Sequence, residues 1–121
     1  ITDDGLFSAE PLDHDVTEGM LFHMVELIRM VNPSVKVIFS VSPDRLEDTV
    51  TPDHIYIANA RSKSRLISAA YSIAQEDNID YFPSYEIISH LGERAYEVGR
   101  LNLKNAAKDL LCSEFFIAYL S

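Results

Sequence analysis

Cysteine occurs once in the 121 residues, at Cys112. That leaves no internal disulfide framework and no thiolate cage for a metal. A single thiol suits a reducing compartment, so a cytoplasmic location is the expectation. Basic residues are also scarce: ten Lys and Arg stand against nineteen Asp and Glu, a formal net charge of −9. Such a surplus repels a phosphate backbone, and with no cluster of cations to offset it the chain is not expected to bind nucleic acid. No apolar run approaches the roughly 18 residues that a membrane-spanning helix needs, so no transmembrane segment is expected. There is no initiator Met and no charged-then-apolar leader, and a chain opening at Ile1 reads as beginning partway through a larger protein. What is present is 47% hydrophobic and 10% aromatic residues, the make-up of a folded chain, at a length that suits one domain.

The acidity is gathered at the start. Asp3, Asp4, Glu10, Asp13, Asp15 and Glu18 fall in the first twenty residues, where no Lys or Arg occurs, and Gly5 and Pro11 interrupt any regular element. Residues 1–14 are therefore read as an acidic, irregular arm and residues 15–121 as a partial α/β domain. Three adjacent residues seldom converge on one ion, so Asp13-His14-Asp15 is read as a polar triplet, with no metal site.

A helix is expected from Asp15, with Glu18 reaching back to complete a capping box, to about Val31. Met20, Leu21, Met24, Leu27, Ile28 and Val31 recur at spacings of three and four and define its apolar face, leaving Glu26 and Arg29 outward. Asn32-Pro33 stops it, because proline lacks a donor and disfavours the helical region for its predecessor. The run VKVIFSV, residues 35–41, is dense in β-branched and aromatic residues and reads as a strand buried on both faces. A polar connection over residues 44–58 leads to a second helix from Asn59 to about Gln75, then a strand over Ile79 to Phe82. A short segment from Tyr85 to Leu91 is broken by Gly92, and a last helix runs from Leu103 to Leu120. This order is a right-handed crossover unit of a parallel sheet. Two such strands leave the sheet incomplete, and the missing strands are expected from an upstream part of the same protein, another chain or a homodimer partner. A protein partner or homo-oligomer follows from that expectation.

The chemistry-bearing anomaly is Arg61-Ser62-Lys63-Ser64-Arg65, three cations in what reads as the opening turns of a helix whose N-terminus is already partially positive. Two readings stand. Asn59, Arg61, Ser62 and Lys63 form a substrate- or anion-binding site with the helix amides; or Arg61 or Lys63 pairs with a carboxylate of the preceding acidic loop or of the acidic leader and pins the chain. No cofactor is implied. Ser42 and Ser84 lie at strand ends, where open α/β sheets place active sites. Ser84 is read as a helix cap. His90, six residues on, turns to the opposite helix face. Cys112 reads as a packed, inert thiol.

The strings Asn32-Pro33, VKVIFSVSP ending at Pro43, Asn59-Ala60-Arg61-Ser62-Lys63-Ser64-Arg65-Leu66 and Tyr81-Phe82-Pro83-Ser84-Tyr85-Glu86-Ile87, in this order, resemble the C-terminal half of a GSCFA domain. The resemblance covers about residues 18–120. It implies the SGNH/GDSL-like hydrolase fold, a flavodoxin-like three-layer parallel-sheet sandwich of which this chain holds part. It also implies a serine nucleophile in a block upstream of these residues and an Asp-x-x-His pair after the YFPSYEI string. Here Tyr96-Glu97-Val98 is followed by Gly99-Arg100-Leu101-Asn102, so Gly99 stands at the aspartate position and Asn102 at the histidine position. Asn102 cannot take a proton from a serine near neutral pH, and Gly99 has no side chain to orient a base. The expectation is a degenerate, non-catalytic domain retained for binding or assembly, with no catalytic residue of its own. The alternative is an SGNH-type esterase or acyltransferase acting on an acylated carbohydrate, its catalytic residues lying outside this chain.

Overall fold

The computed structural model describes residues 13–45, 54–98 and 102–121. The acidic arm up to residue 12 lies outside them, as do residues 46–53 of the connection and Gly99. The element order is α1 (His14–Val31), β1 (Val37–Ser40), α2 (Ile55–Ile73), β2 (Ile79–Phe82), α3 (Ser84–Leu91), a 3-10 turn (Gly92–Ala95) and α4 (Asn105–Tyr119). The fold is mixed α/β, mostly helical, with one small parallel sheet in which Val37 pairs with Ile79 and Ser40 with Phe82.

Several elements begin or end for a local reason. Asp13 caps α1: its carboxylate accepts the Val16 amide at 2.8 Å, and its carbonyl accepts the Thr17 hydroxyl at 2.8 Å. The expected cap at Asp15 is thus displaced by two residues. Glu18 builds no capping box but faces His14 at 2.9 Å and accepts from the Ser72 hydroxyl of α2 at 3.0 Å. At the other end, the Asn32 side chain accepts the amide and hydroxyl of Ser34 and turns the chain toward β1. Asn78, at φ 63°, makes the turn into β2, and its carbonyl receives the Val37 amide at 2.8 Å. Gly92, at φ 64°, ends α3 in a conformation that a Cβ would oppose. Ser84, expected as a cap, is instead the first helical residue after Pro83 and makes no capping bond.

Helices cover both faces of the strand pair. On one face Val25 of α1, Ile73 of α2 and Ile79 form a buried cluster with Leu21, Val37 and Phe39 against it. On the other, Phe82 meets the rings of Phe115 and Tyr119 of α4 edge-on, at centroid distances of 5.2 and 6.1 Å. A second cluster, Ile88, Ala95, Tyr96, Leu103 and Ala107, ties α3, the 3-10 turn and α4 together, closed by the Tyr96–Leu103 antiparallel bridge.

Two expectations about burial are corrected. The inward face of α1 is Thr17, Leu21 and Val25; Met20, Met24, Leu27, Ile28 and Val31 are exposed, Val31 to 88%. Periodicity finds an apolar stripe but not its direction, and here a neighbouring stripe, which α2 and the sheet can reach, is the one buried. Nor is the first strand buried on both faces: Ile38, on the α4 side of the sheet, is 38% exposed.

Among the described residues, Ile88 and Val25 are the largest side chains sealed from solvent. Ile88→Ala should lower the unfolding free energy by about 2–5 kcal/mol, through lost burial plus the cavity left behind. Met24→Ala, at a half-exposed position, should change it by no more than about 0.5 kcal/mol. Urea unfolding followed by circular dichroism measures both.

Candidate functional site

In a parallel sheet, groups able to act on a ligand collect where the strands end, because the connecting loops open there. The chain leaving β1 is held at that end from three directions. The ammonium of Lys63, a residue only 7% exposed, donates to the Ser42 carbonyl at 2.6 Å. The Tyr96 hydroxyl donates to the Pro43 carbonyl at 2.8 Å. Arg45 lies 3.7 Å from the centroid of the Tyr96 ring and donates to both carboxylate oxygens of Glu93, at 2.8 and 3.2 Å. Where β2 ends, the Ser84 hydroxyl is hydrogen-bonded to that of Ser40, so the two strand ends are joined side chain to side chain. Tyr81 donates to one oxygen of Glu86 at 2.7 Å, while the other is buried without a partner among the described residues.

Titration reflects these contacts. The hydrogen bond from Arg45, then its charge, holds the Glu93 carboxyl below its usual range, and the Glu93 bond raises the Arg45 guanidinium. Burial lifts the Tyr96 phenol against the opposing influence of Arg45. Burial, and then the bond to Glu86, lift the Tyr81 phenol. Burial lowers the Lys63 ammonium, with the charge of Asp44 opposing.

The four residues expected to bind an anion do not stand at a helix start. Helix α2 opens at Ile55, with the ring nitrogen of His54 accepting the Tyr56 amide at 3.3 Å. Arg61 accordingly falls in the second turn and Lys63 in the third, where the partial charge of the helix end has faded. The premise of crowded positive charge is thereby removed. Asn59 and Lys63, four apart, share one side of α2; Arg61 is exposed on the opposite side, and Ser62 is half-buried between. Lys63 holds the segment after β1, though by its backbone carbonyl rather than by a carboxylate. Isoleucine and tyrosine at 55–57 are poor openers, whereas Asn59 is a favoured cap; that is why the helix is expected four residues late.

Neither serine at a strand end has the setting of a nucleophile. Ser84 and Ser40 bond to each other, and the Ser42 hydroxyl accepts the Asp44 amide at 3.2 Å. His90, exposed in the last turn of α3, is not bonded to Ser84. Asn102 is exposed, its carbonyl accepting the Glu97 amide at 3.1 Å. Cys112 is exposed rather than packed. No sequence pattern distinguishes Arg45, Glu93, Tyr96 or Ser40; Arg45 and Glu93 are 48 residues apart, and no periodicity relates them.

The GSCFA family model matches residues 3–115 of the chain. No curated protein and no solved structure matches it.

Lys63 carries a signed pH dependence. Its pKa in the fold lies below the 10.5 of a free lysine, so between the two values the unfolded chain holds the proton that the folded chain has released. Rising pH in that window should therefore favour the folded wild type relative to Lys63→Met. Urea unfolding of both proteins at a series of alkaline pH values measures this difference, in which the titration of the tyrosines cancels.

Proposed function

Because this chain belongs to the GSCFA family, we propose that it is a non-catalytic member whose fold serves protein assembly or binding. The observation that carries the reading is the hairpin after the 3-10 turn. There Asn102 occupies the position at which the family pattern expects a histidine base; it is exposed, and its backbone carbonyl accepts the Glu97 amide. An amide has no pKa near neutrality and cannot accept the proton of a serine hydroxyl. Gly99, at the position of the orienting aspartate, offers no side chain at all.

The strand ends support the same reading. Their polar groups are spent on each other: Lys63 on a carbonyl, Ser84 on Ser40, and Arg45 on Tyr96 and Glu93. Such an arrangement holds residues 42–45 after β1 instead of presenting a base to a substrate. In this reading the two strands are part of a flavodoxin-like, three-layer sandwich of the SGNH type. The domain portion begins at α1 with its Asp13 cap, and the acidic residues that precede it, Asp3, Asp4 and Glu10, steer it toward a basic surface of a partner. The opposing reading, an esterase or acyltransferase for an acylated carbohydrate completed from outside the chain, takes Asn59, Arg61 and Lys63 as pocket residues.

Hydrolysis of p-nitrophenyl acetate tests whether any residue of this chain is itself catalytic. The purified chain is expected to give the buffer rate, unchanged in Ser84→Ala and Ser42→Ala. Turnover above buffer that either substitution abolishes would overturn the non-catalytic reading.

A further inference from the structure

We infer that the outer edge of β2 is a closed boundary of the sheet, in which the Asp80 carboxylate plugs the backbone and keeps strands of other molecules from adding there. The inference goes beyond the non-catalytic reading and does not rest on it.

A strand that joins a sheet needs backbone donors and acceptors in alternation, and a free edge supplies them to any extended segment it meets. Which groups β2 turns outward follows from its ladder. The Val37 amide donates to the Asn78 carbonyl, and Val37 pairs with Ile79 in parallel. That register sends the Asp80 and Phe82 amides to β1. The Ile79 and Tyr81 amides therefore point the other way, and residue 83 is the next in the same row.

All three positions are closed from within the chain. The Ile79 amide donates to the Glu76 carbonyl at 3.3 Å, across the turn that precedes the strand. The Tyr81 amide donates to Oδ1 of Asp80 at 3.0 Å. Pro83 has no amide hydrogen, and its carbonyl already accepts the Ile87 amide of α3 at 3.0 Å. An incoming strand would meet the Ile79 and Tyr81 carbonyls but no donor, and its own carbonyls would lose water without a replacement.

Of the three closures, only the middle one is a hydrogen bond to a side chain. Aspartate is poorly suited to the centre of a strand, and the strand Ile-Asp-Tyr-Phe is otherwise apolar and aromatic. Capping the next amide gives that residue a reason. Asp80 lies exposed on the same face as Phe82, and Tyr119 of α4, which packs on Phe82, adjoins it: burial, then the charge of Asp80, lift the Tyr119 phenol. The carboxylate stands between the last helix and the edge, where its charge also opposes the approach of an apolar strand.

The test measures amide hydrogen exchange by NMR in the full chain as wild type, Asp80→Ala and Asp80→Asn, the last keeping an acceptor oxygen at the same reach without the charge. Rates are corrected for the intrinsic effect of the neighbouring side chain. The Tyr81 amide is expected to exchange about fivefold or more faster in Asp80→Ala and near the wild-type rate in Asp80→Asn. The amides of residues 80 and 82, bonded to β1, stay slow in all three and report an intact sheet. In the wild type the Tyr81 rate is expected to stay constant from micromolar to millimolar protein. Equal Tyr81 rates in wild type and Asp80→Ala overturn the inference. So does a wild-type rate that slows with concentration, because the edge then pairs despite the plug; this arm needs no substitution and decides even where Asp80→Ala fails to fold.

Discussion

Parallel pairing of β1 with β2 obliges the chain to return from the end of one strand to the start of the next, and nearly every other feature answers that requirement. The return is α2, which must lie against the sheet; its small residues Ala69 and Ala70 and its Ile73 are buried for that reason. Parallel strands are also covered on both faces, because the helices of their crossovers pack there on the apolar side chains. α1 and α2 cover one face, and Phe115 and Tyr119 of α4 cover the other through Phe82. Four-residue strands give a short ladder, and the ends are strengthened by side chains: Ser40 to Ser84, Lys63 to the Ser42 carbonyl, Tyr96 to the Pro43 carbonyl. Tyr96 is also buried with Ile88 and Leu103, so the anchoring of the first loop and the packing of the last third of the chain share one side chain.

The parts of this architecture that are legible in sequence are those set by local chemistry. Asn32-Pro33 stops α1 where expected; VKVIFSV supplies a strand; Gly92 separates α3 from the 3-10 turn. Element order and the parallel crossover come from the same local signals. The misread parts depend on tertiary choice. Helix α2 opens at a histidine cap followed by residues of low helical propensity, which local preference disfavours and the crossover imposes. The buried face of α1 includes Thr17, while stronger apolar residues such as Met24 and Val31 stay in water, because packing selects by position and not by hydropathy.

The candidate site shows the same division. Sequence marks Lys63 as a residue that needs a partner, but not as a buried one, since nothing near it in the chain announces the Ser42 carbonyl that it meets. The Arg45, Glu93 and Tyr96 assembly leaves no sequence signal, because it forms between a strand end and a turn far along the chain. The Asn102 position, in contrast, is legible from a short string alone, because the absence of a titratable group is a property of the residue and not of its surroundings.

The open side of β1 also bears on how the folded chain resists aggregation. A short run of β-branched and aromatic residues without proline is the kind of segment that stacks with copies of itself into cross-β aggregates, and Lys36 is its one charge. The folded chain keeps β2 against one side of that segment and, among the described residues, leaves the other side bare. Solubility at high concentration and accessibility to chaperones and proteases are then governed by the same short strand that holds the sheet together.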